Sequence, residues 1–319
     1  MTQTVPKELV HKWGLAEVFV TGFARTSDEV MVLTAELPKS HQLYNESPVR
    51  QTHIDFAAVI EACRQACFVV AHKLLEVPMG LQFLLKNMES KLMTDRRFDR
   101  SLEMTARIRD LKRRGNVLAG VTWDFEVRDV SGPVARLNFT QIWVERLHWR
   151  ELRSKMRSSR GLSTAIPTQS GLRSRFPPTH PYNVGRSVID NVVITDVVGF
   201  DGHWRTFGSV PITHPVLFDH PMDHVYAMVQ LEMGRQFSSS IIASVEGISP
   251  HLAILVANRS AFLSTAELDM PLAITSTDYV NLASGEILID SVFSQASRSV
   301  SNFSQRYRLL EGSRTSETS

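Results

Sequence analysis

Residues 53–73, HIDFAAVIEACRQACFVVAHK, have a counterpart 171 positions later in residues 224–244, HVYAMVQLEMGRQFSSSIIAS. Four polar identities keep this offset: His53 with His224, Glu61 with Glu232, Arg64 with Arg235, and Gln65 with Gln236. A shared hydrophobic pattern does not generate four polar identities in one register. Because self-similarity at a fixed period is the mark of an internal repeat, the sequence predicts one unit built twice.

Each of these segments carries apolar residues on nearly every face, which predicts a buried helix, over about 55–76 and about 226–246. Strand-like runs follow both helices, and alternation such as TWDFEVR at 122–128 supports this interpretation. The runs lie near 80–92, 102–112, 116–128 and 133–145, and near 251–264, 271–281, 285–295 and 298–309. A long buried helix followed by antiparallel strands predicts an α+β fold, a double hot-dog of two tandem units in which a sheet wraps a central helix.

Strand-like runs also open both halves, EVFVT at 17–21 and NVVIT at 191–195, each at a fixed gap after a basic residue. Between the halves, residues 146–180 hold eight Arg or Lys and one Glu, a local net charge of +7. This composition, with its Ser, Gly and Pro, is typical of a linker. We therefore expect a first repeat at 1–150, a basic linker at 151–180, a second repeat at 181–310 and a flexible tail at 311–319.

The bulk composition excludes several classes of protein. The 319 residues are 43% hydrophobic with a net charge of +2, as in a globular protein that is not a general polyanion binder. Cys63 and Cys67 are the two cysteines, too few for a disulfide framework and best interpreted as packing residues. The N-terminus lacks the apolar core of a signal peptide, and no run is long enough for a membrane span, so a cytoplasmic location is expected. Nucleotide-binding loops and hydrolase elbows are also lacking.

A polar stripe on each apolar helix is the first candidate site. Glu61, Arg64 and Gln65 share one helix face, and His72 returns close to it eleven residues after Glu61. The second helix repeats the trio as Glu232, Arg235 and Gln236, with Ala243 in place of His72. Buried charges must pair or contact a ligand. The stripes are therefore either Glu–Arg bridges that tie each helix to its sheet or the lining of a substrate tunnel.

The loops before the helices, LPKSHQLYNESPVRQTH at 37–53 and VPITHPVLFDHPMDH at 210–224, form the second candidate. The second loop carries five potential ligands or proton carriers: His214, Asp219, His220, Asp223 and His224. A metal site, acid–base chemistry and structural hydrogen bonding are all open, although the prolines argue against a preset metal site. Lys12 and Arg186 precede the first strand of each half and are either part of a phosphate clamp or surface charge.

Several strings resemble a known family. In the first half these are VHKWGLAEVFVT, LPKSHQLY, EACRQACFVVAH and VPMGLQF; in the second, HPYNVGR, NVVITDV and THPVLFDHPMDHVYAMVQLEMGRQ. They are similar to the two repeats of the A-factor biosynthesis (AfsA-like) hot-dog family over most of residues 8–310. The chain departs from that family at Tyr226-Ala227, where Pro-Gly is usual, and at Gly234, where Ala is usual.

The resemblance implies a double hot-dog related to 3-hydroxyacyl-carrier-protein dehydratases. It also implies an acyltransferase that moves a β-ketoacyl chain from acyl carrier protein to dihydroxyacetone phosphate, toward a γ-butyrolactone, butenolide or furan signalling molecule, with no cofactor or metal required. In dehydratases a loop histidine of one hot-dog acts with a helix carboxylate of its neighbour. That geometry would join Glu61 to His214 or His220, and Glu232 to His41 or His53.

These arguments give a set of predicted site residues. The predicted catalytic residues are Glu61, Arg235, Glu232 and His220. The predicted substrate-binding residues are Arg64, Gln65, His72, His214, His224, Gln236, Lys12 and Arg186. The preferred arrangement combines Glu61, Arg235 and the second loop, with Glu61 or a loop histidine as the general base and the acyl tail among Ile60, Phe68, Met228 and Phe237.

The sequence also leaves three alternative functions open and suggests one surface for a partner protein. The same fold could serve a dehydratase, a thioesterase or a non-catalytic acyl-binding regulator. The basic linker, with Arg96, Arg97, Arg100 and Lys112–Arg114, could receive an acidic carrier protein or be ordinary solvated charge. Binding of nucleic acid is disfavoured because the rest of the chain is acidic.

Overall fold

The computed structural model describes residues 3–47, 53–165, 176–210 and 212–310. The chain divides into two compact units. Unit 1 comprises Met1–Lys39, Ala58–Leu172 and Phe218–His224, and unit 2 comprises Ser40–Ala57, Arg173–Leu217 and Val225–Ser319. Residues 40–57, before the first central helix, therefore belong to the unit built mainly from the second repeat, and residues 218–224, before the second central helix, belong to the unit built mainly from the first. The predicted tail at 311–319 lies outside the described residues, and so do residues 166–175 of the predicted linker.

Unit 1 contains a six-stranded antiparallel sheet in the order β1-β2-β4-β5-β6-β3. Its strands are β1 (Val20–Arg25), β2 (Val30–Glu36), β3 (Gln82–Leu92), β4 (Ser101–Arg114), β5 (Val117–Asp129) and β6 (Gly132–Val144). The central helix α1 (Phe56–Lys73) packs on this sheet, with the Cys63 Sγ 3.7 Å from the Met104 Sδ and the ring of Phe68 against Phe83. Most of its side chains are buried, as the all-round apolar pattern predicts.

Unit 2 contains a second antiparallel sheet in the order β9-β12-β11-β10-β8-β7. Its strands are β7 (Val198–Phe200), β8 (His203–Phe207), β9 (Ala253–Phe262), β10 (Ala273–Asn281), β11 (Ile287–Gln295) and β12 (Arg298–Leu309). The central helix α3 (Ala227–Glu246) is joined to β12 by the hydrogen bond from Ser301 Oγ to Gln230 Oε1, 2.6 Å long. One buried helix on an antiparallel sheet in each unit confirms the predicted double hot-dog class.

Three features differ from the sequence prediction. Strand β1 begins at Val20 rather than Glu17, because Leu15–Glu17 form a 3₁₀ turn, and the equivalent Ile189–Asn191 form another. The predicted strand at 191–195 is wrong, because this segment makes one isolated bridge, from Ile194 to Gly208, and β7 begins at Val198. Residues 146–158, partly inside the predicted linker, form helix α2 (Arg146–Ser158). Its Arg153 and Arg157 are buried, with Arg153 3.3 Å from Asp223, so these charges are packing elements rather than solvated linker charge.

Candidate functional site

An ionic cluster surrounds Glu61 on α1. Arg64 donates Nε to Oε2 and Nη2 to Oε1, both at 2.7 Å, and the Lys12 Nζ lies 3.3 Å from Oε1. Burial by itself raises the pKa of Glu61, but the positive charges of Arg64 and Lys12 outweigh it and hold that pKa well below its usual value. Glu61 is therefore an ionised carboxylate whose oxygens are engaged by fixed cations.

Gln65 ties this cluster to the chain entering β1. Its side-chain amide donates to the Glu17 carbonyl at 2.7 Å and to Glu61 at 3.0 Å, while its Oε1 accepts the Phe19 N–H at 2.8 Å. An amide that satisfies two backbone groups and one carboxylate fixes helix against loop. Gln65 therefore has a structural role, and its contact with substrate stays a prediction.

Unit 2 repeats the same cluster around Glu232. Arg235 donates Nε and Nη2 to Oε2 at 2.9 and 2.5 Å, and Arg186 donates Nε to Oε1 at 3.1 Å. Gln236 donates to Oε1 at 2.6 Å and to the Asn191 carbonyl at 2.7 Å, and accepts the Val193 N–H at 2.9 Å. Burial raises the pKa of Glu232, but the two guanidinium groups lower it more, so this carboxyl is also ionised.

Two further carboxylates complete the cluster of unit 2. Asp55, at the entrance to α1, accepts the Arg235 Nη1 at 2.7 and 2.6 Å. Glu46 lies 3.3 Å from the Arg186 Nη1, which also donates to the Leu43 carbonyl at 2.9 Å. Three carboxylates thus face two guanidinium groups, a net charge of −1. Of the two arginines, Arg186 is the more buried, and Arg235 retains 14% of its side-chain surface.

A cavity with an empty volume of about 650 Å³, a figure that includes space open to solvent, lies beside this cluster in unit 2. Both polar and apolar groups line it. The polar lining residues include Arg186, Glu232, Arg235, Gln236, Asp55 and Ser239, and the apolar ones include Tyr44, Ile54, Phe56, Val184, Ile254 and Leu255. A pocket with an apolar stretch and a few converging polar groups is the usual form of a small-molecule site.

Two histidines lie on the wall of the cavity, His53 from the loop before α1 and His251 from the turn before β9. Burial lowers the pKa of both, with Arg308 acting in the same direction on His53 and Arg186 on His251. The His251 Nδ1 is buried with no hydrogen-bond partner among the residues that the structure describes. Both rings are therefore neutral near pH 7 and able to accept a proton.

The first histidine of each loop shapes that loop. The His214 Nδ1 accepts the N–H groups of Val216 and Leu217 at 3.1 and 3.0 Å, and its Nε2 donates to Asn191 at 2.7 Å. His41 accepts the N–H groups of Leu43 and Tyr44 in the same way, at 3.2 and 3.3 Å. Because both ring nitrogens of His214 are used, this buried residue organises the loop of unit 2, and its predicted pairing with Glu61 stays a prediction.

The remaining loop histidines lie in unit 1, each beside a carboxylate. His220 is 3.2 Å from Asp219, which accepts the N–H groups of Trp13 and Gly14 at 2.9 and 2.8 Å. His224 donates to Asp223 at 2.5 Å, and Asp223 also binds the Trp149 indole N–H at 2.9 Å. His224 is therefore part of the contact between its loop and α2, and His220 belongs to the unit of Glu61.

His72 lies in the last turn of α1. Its Nδ1 donates to the Val77 carbonyl at 2.6 Å, and its Nε2 accepts the Nε2–H of His11 at 2.9 Å. The His11 ring stacks on Phe68 with ring centroids 4.3 Å apart. His72 is therefore one member of an aromatic group in unit 1.

Glu61 and Arg235, which the preferred arrangement combines, each have partners in their own unit, and their combination in one site stays a prediction. Arg235 binds Glu232 and Asp55, both in unit 2, whereas Glu61 binds Arg64, Lys12 and Gln65 in unit 1. The sequence reasoning missed Asp55, Glu46 and His251. Since an acidic residue occurs at the position of Glu46 in both loops, as Glu46 and Asp219, the repeat itself carried a signal for that residue.

Comparison with known proteins identifies the family. The A-factor biosynthesis hotdog domain (AfsA) matches residues 1–145 and 168–311. A 2-oxo-3-(phosphooxy)propyl 3-oxoalkanoate synthase from Streptomyces virginiae is 31% identical over 275 residues, covering 85% of this chain and 86% of that protein. A protein of the same name from Streptomyces coelicolor is 27% identical over 279 residues, covering 86% and 82%.

Solved structures agree on the fold. A protein described as a putative oleoyl thioesterase, from Lactobacillus plantarum, gives a TM-score of 0.54 at 10% identity, over 90% of this chain and 99% of that one. A putative thioesterase from Novosphingobium aromaticivorans gives 0.51 at 12% identity, over 91% and 98%. At these identities the likeness concerns the fold alone. The match of the AfsA domain to both halves shows that this chain belongs to the A-factor biosynthesis hotdog family.

Proposed function

We propose that this protein transfers a β-ketoacyl group from a thioester to the free hydroxyl of dihydroxyacetone phosphate. The relatives that cover most of the chain are named for the ester that this reaction forms. Membership of their family is the observation that carries the proposal. The cavity of unit 2 supports it, because it offers apolar and ionic walls to an acyl chain and a phosphate.

The reaction needs one proton acceptor and no redox partner. The hydroxyl oxygen of the acceptor attacks the thioester carbonyl carbon, a C–O bond forms, and the C–S bond breaks. The hydroxyl proton passes to the base and then to the departing thiolate. General-base assistance of this kind contributes roughly 10²- to 10⁴-fold.

We assign the base to a neutral histidine on the cavity wall, His53 or His251, rather than to Glu61 or Glu232. Both glutamates are held ionised by buried cations, which makes them weak bases. Burial keeps the histidines neutral, and both line the cavity. Glu232 then acts as a positioning residue that aligns Arg186 and Arg235. The predicted catalytic roles of Glu61 and His220, in unit 1, stay untested predictions.

Arg235 is the group we assign to the phosphate. It lines the cavity, keeps part of its surface exposed and presents a planar fork of N–H donors, which suits phosphate oxygens. Asp55 occupies one nitrogen of that fork, so an incoming phosphate dianion competes with this carboxylate. Arg186 holds the cluster together, because its Nη1 binds Glu46 and the Leu43 carbonyl and its Nε binds Glu232.

The donor we propose is an acyl carrier protein, an acidic protein that basic surface residues would attract. Of the basic groups that the sequence suggested, Arg96 is bound to Asp129 and Arg100 to the Pro38 carbonyl. Lys112, Arg113 and Arg114 are exposed at the end of β4. Their exposure supports these three residues as the docking group.

In the described residues no helix is long and apolar enough to cross a membrane.

The deciding experiment incubates the purified protein with a β-ketoacyl thioester and dihydroxyacetone phosphate and analyses the products by mass spectrometry. We expect the phosphorylated β-ketoester and stoichiometric free thiol. Dihydroxyacetone without its phosphate serves as the matched acceptor and should react poorly. Formation of free β-keto acid alone would establish a thioesterase instead. Formation of an enoyl thioester from a 3-hydroxyacyl substrate would establish a dehydratase. The absence of any turnover would favour a non-catalytic acyl-binding protein.

A further inference from the structure

His11 and Gly185 occupy the same place in the two repeats. Each is the residue that ends a 3₁₀ helix, Lys7–Val10 in unit 1 and Pro181–Val184 in unit 2, and each precedes the basic residue of its cluster. Both have left-handed backbone, with φ of 56° at His11 and 68° at Gly185. This conformation suits glycine and strains a residue that carries a Cβ. A strained histidine at the equivalent position persists where its surroundings hold it in place.

Three more positions show the same contrast between large and small side chains. At the offset of 171, Phe68 and His72 of α1 correspond to Ser239 and Ala243 of α3, and Phe83 of β3 corresponds to Ile254 of β9. Gly185, Ser239 and Ile254 line the cavity of unit 2. The residues that leave that space open therefore have aromatic counterparts in unit 1.

These aromatic side chains contact one another. The His11 ring lies 4.3 Å from Phe68 and 5.2 Å from Phe83, and the Phe68 and Phe83 rings are 5.2 Å apart, all measured between ring centroids. His72 joins the group through its 2.9 Å hydrogen bond to His11. We call His11, Phe68, His72 and Phe83 the aromatic plug. Burial, with His72 next, lowers the pKa of His11 to about 3, so the ring stays neutral in this packing.

The ionic cluster beside the plug keeps the plan of unit 2. Glu61, Arg64, Gln65 and Lys12 make the bonds that Glu232, Arg235, Gln236 and Arg186 make, and the Arg64 guanidinium lies 5.3 Å from the centroid of the Phe68 ring. Both copies therefore keep the core of the charged network, to which unit 2 adds Asp55 on Arg235. A second difference between the copies is the space next to the guanidinium group.

We propose that the aromatic plug closes the first copy of the site, so that acyl and phosphate substrates are bound and converted only in the cavity of unit 2. This inference rests on the proposed function, because it assigns that reaction to one of two homologous clusters. In this proposal, Ser239 and Gly185 keep the cavity of unit 2 open because they are small.

The test changes one residue in each unit. Ser239→Phe introduces into unit 2 the side chain that the plug has at this position, and Phe83→Ile replaces a plug residue of unit 1 with its counterpart in unit 2. Both variants are assayed for formation of the phosphorylated β-ketoester beside the wild type, with circular dichroism and thermal unfolding as controls for the fold. We expect Ser239→Phe to lower turnover at least about 100-fold, as expected when a substrate is displaced from its productive position, and Phe83→Ile to keep turnover within about twofold of wild type.

Each outcome decides the matter. A folded Ser239→Phe protein with wild-type turnover, or a folded Phe83→Ile protein that has lost it, overturns the inference while the proposed function stands. A wild-type protein that forms no ester overturns the proposed function and this inference with it. Should Ser239→Phe not fold, Ser239→Val and Ser239→Leu replace it, with turnover expected to fall as the side chain lengthens; unchanged turnover in folded Ser239→Leu contradicts the inference.

Discussion

Arg235 donates its Nη1 to both carboxylate oxygens of Asp55, at 2.7 and 2.6 Å, while its Nε and Nη2 are directed to Glu232. The two acids hold the guanidinium plane from two sides and raise its pKa further above the ordinary arginine value, although burial opposes them. The second repeat has Tyr226 at the position equivalent to Asp55, and this residue cannot supply such a charge. This carboxylate therefore sets how strongly the cluster of unit 2 attracts an anion.

Replacing Asp55 with Asn should tighten binding of the phosphorylated acceptor. The cluster changes from a net charge of −1 to zero, and the phosphate no longer competes with a carboxylate for the Arg235 Nη1. We expect KM for dihydroxyacetone phosphate to fall roughly fivefold or more, a coupling free energy of about 1 kcal/mol. Loss of the buried bond should lower the free energy of unfolding by about 1–3 kcal/mol.

The matched control for that prediction is Asp28→Asn, which removes an exposed carboxylate paired with Arg25. It should change neither KM nor stability, because exposed ion pairs contribute little. If KM rises in Asp55→Asn, then Asp55 positions Arg235 for the phosphate, and the competition described above is wrong.

Both cysteines should be inert in the folded protein. Cys63 and Cys67 are buried, and burial raises the pKa of each thiol well above its usual value, which suppresses the reactive thiolate. A thiol titration with an aromatic disulfide reagent should find almost no reaction in native protein and both thiols after unfolding in guanidinium chloride. Rapid labelling of the native protein would contradict the packing role that their spacing predicted.

The central helices and the strands that follow them could be predicted because their signals are local. The observed α1 and α3, Phe56–Lys73 and Ala227–Glu246, agree with the predicted 55–76 and 226–246 to within three residues at each end. Strand β12 spans the predicted 298–309. A buried helix and alternating strands impose their periods on short stretches of sequence, so one sequence suffices to find them.

The partners of the charged residues could not be predicted, because they come from distant parts of the chain. Asp55 meets Arg235 across 180 positions, and Glu46 meets Arg186 across 140. His251 stands where the first repeat has Gly80, so the repeat offered no polar match to mark it. Helix α2 was missed from Arg146 onward because its basic composition is typical of a linker, and burial of Arg153 depends on Asp223, far along the chain.

Reversing the charge of Lys112, Arg113 and Arg114 should weaken use of a carrier-protein donor alone. These side chains are exposed at the end of β4, where an acidic protein can reach them. With all three changed to Glu, KM for the acyl carrier protein thioester should rise about tenfold or more, and the wild-type KM should rise with salt as the charges are screened. The N-acetylcysteamine thioester of the same acyl group is the control, and its KM should not change. An equal rise in KM for both donors would show that these three residues do not bind the carrier protein.

Acid should unfold the protein steeply because two buried carboxylates are ionised in the fold. The pKa of Glu61 and that of Glu232 are both lowered from the ordinary 4.5 by their cations, against the opposing effect of burial. A carboxyl group whose pKa is lower in the folded than in the unfolded protein stabilises the fold above about pH 4.5. This stability is lost as the pH falls toward the pKa of the folded protein. We expect the melting temperature to be nearly constant from pH 7 to 5 and to drop below that.

Glu61→Gln and Glu232→Gln should flatten that acid limb and lower stability at pH 7 by about 3–5 kcal/mol, since each leaves buried cations without their carboxylate. Glu151→Gln on α2 is the control, because its side chain is 70% exposed. An acid limb of unchanged steepness in both buried variants would show that other groups control acid unfolding.

The pH profile of turnover should identify the histidine base. Burial lowers the pKa of His53 and of His251 below the ordinary 6.5, so the base is mainly neutral above that pH. We expect kcat to be flat at alkaline pH and to fall on acidification with a midpoint below pH 6.5, when the ring takes up a proton. His53→Asn and His251→Asn are compared under single-turnover conditions, and the variant that lacks the base should lose roughly 10²- to 10⁴-fold in rate together with the acid limb of the profile. His203→Asn, an exposed position on β8, should retain both. If both cavity variants keep their rates within tenfold of wild type, neither histidine is the base, and the proton must pass through another group of the cavity wall.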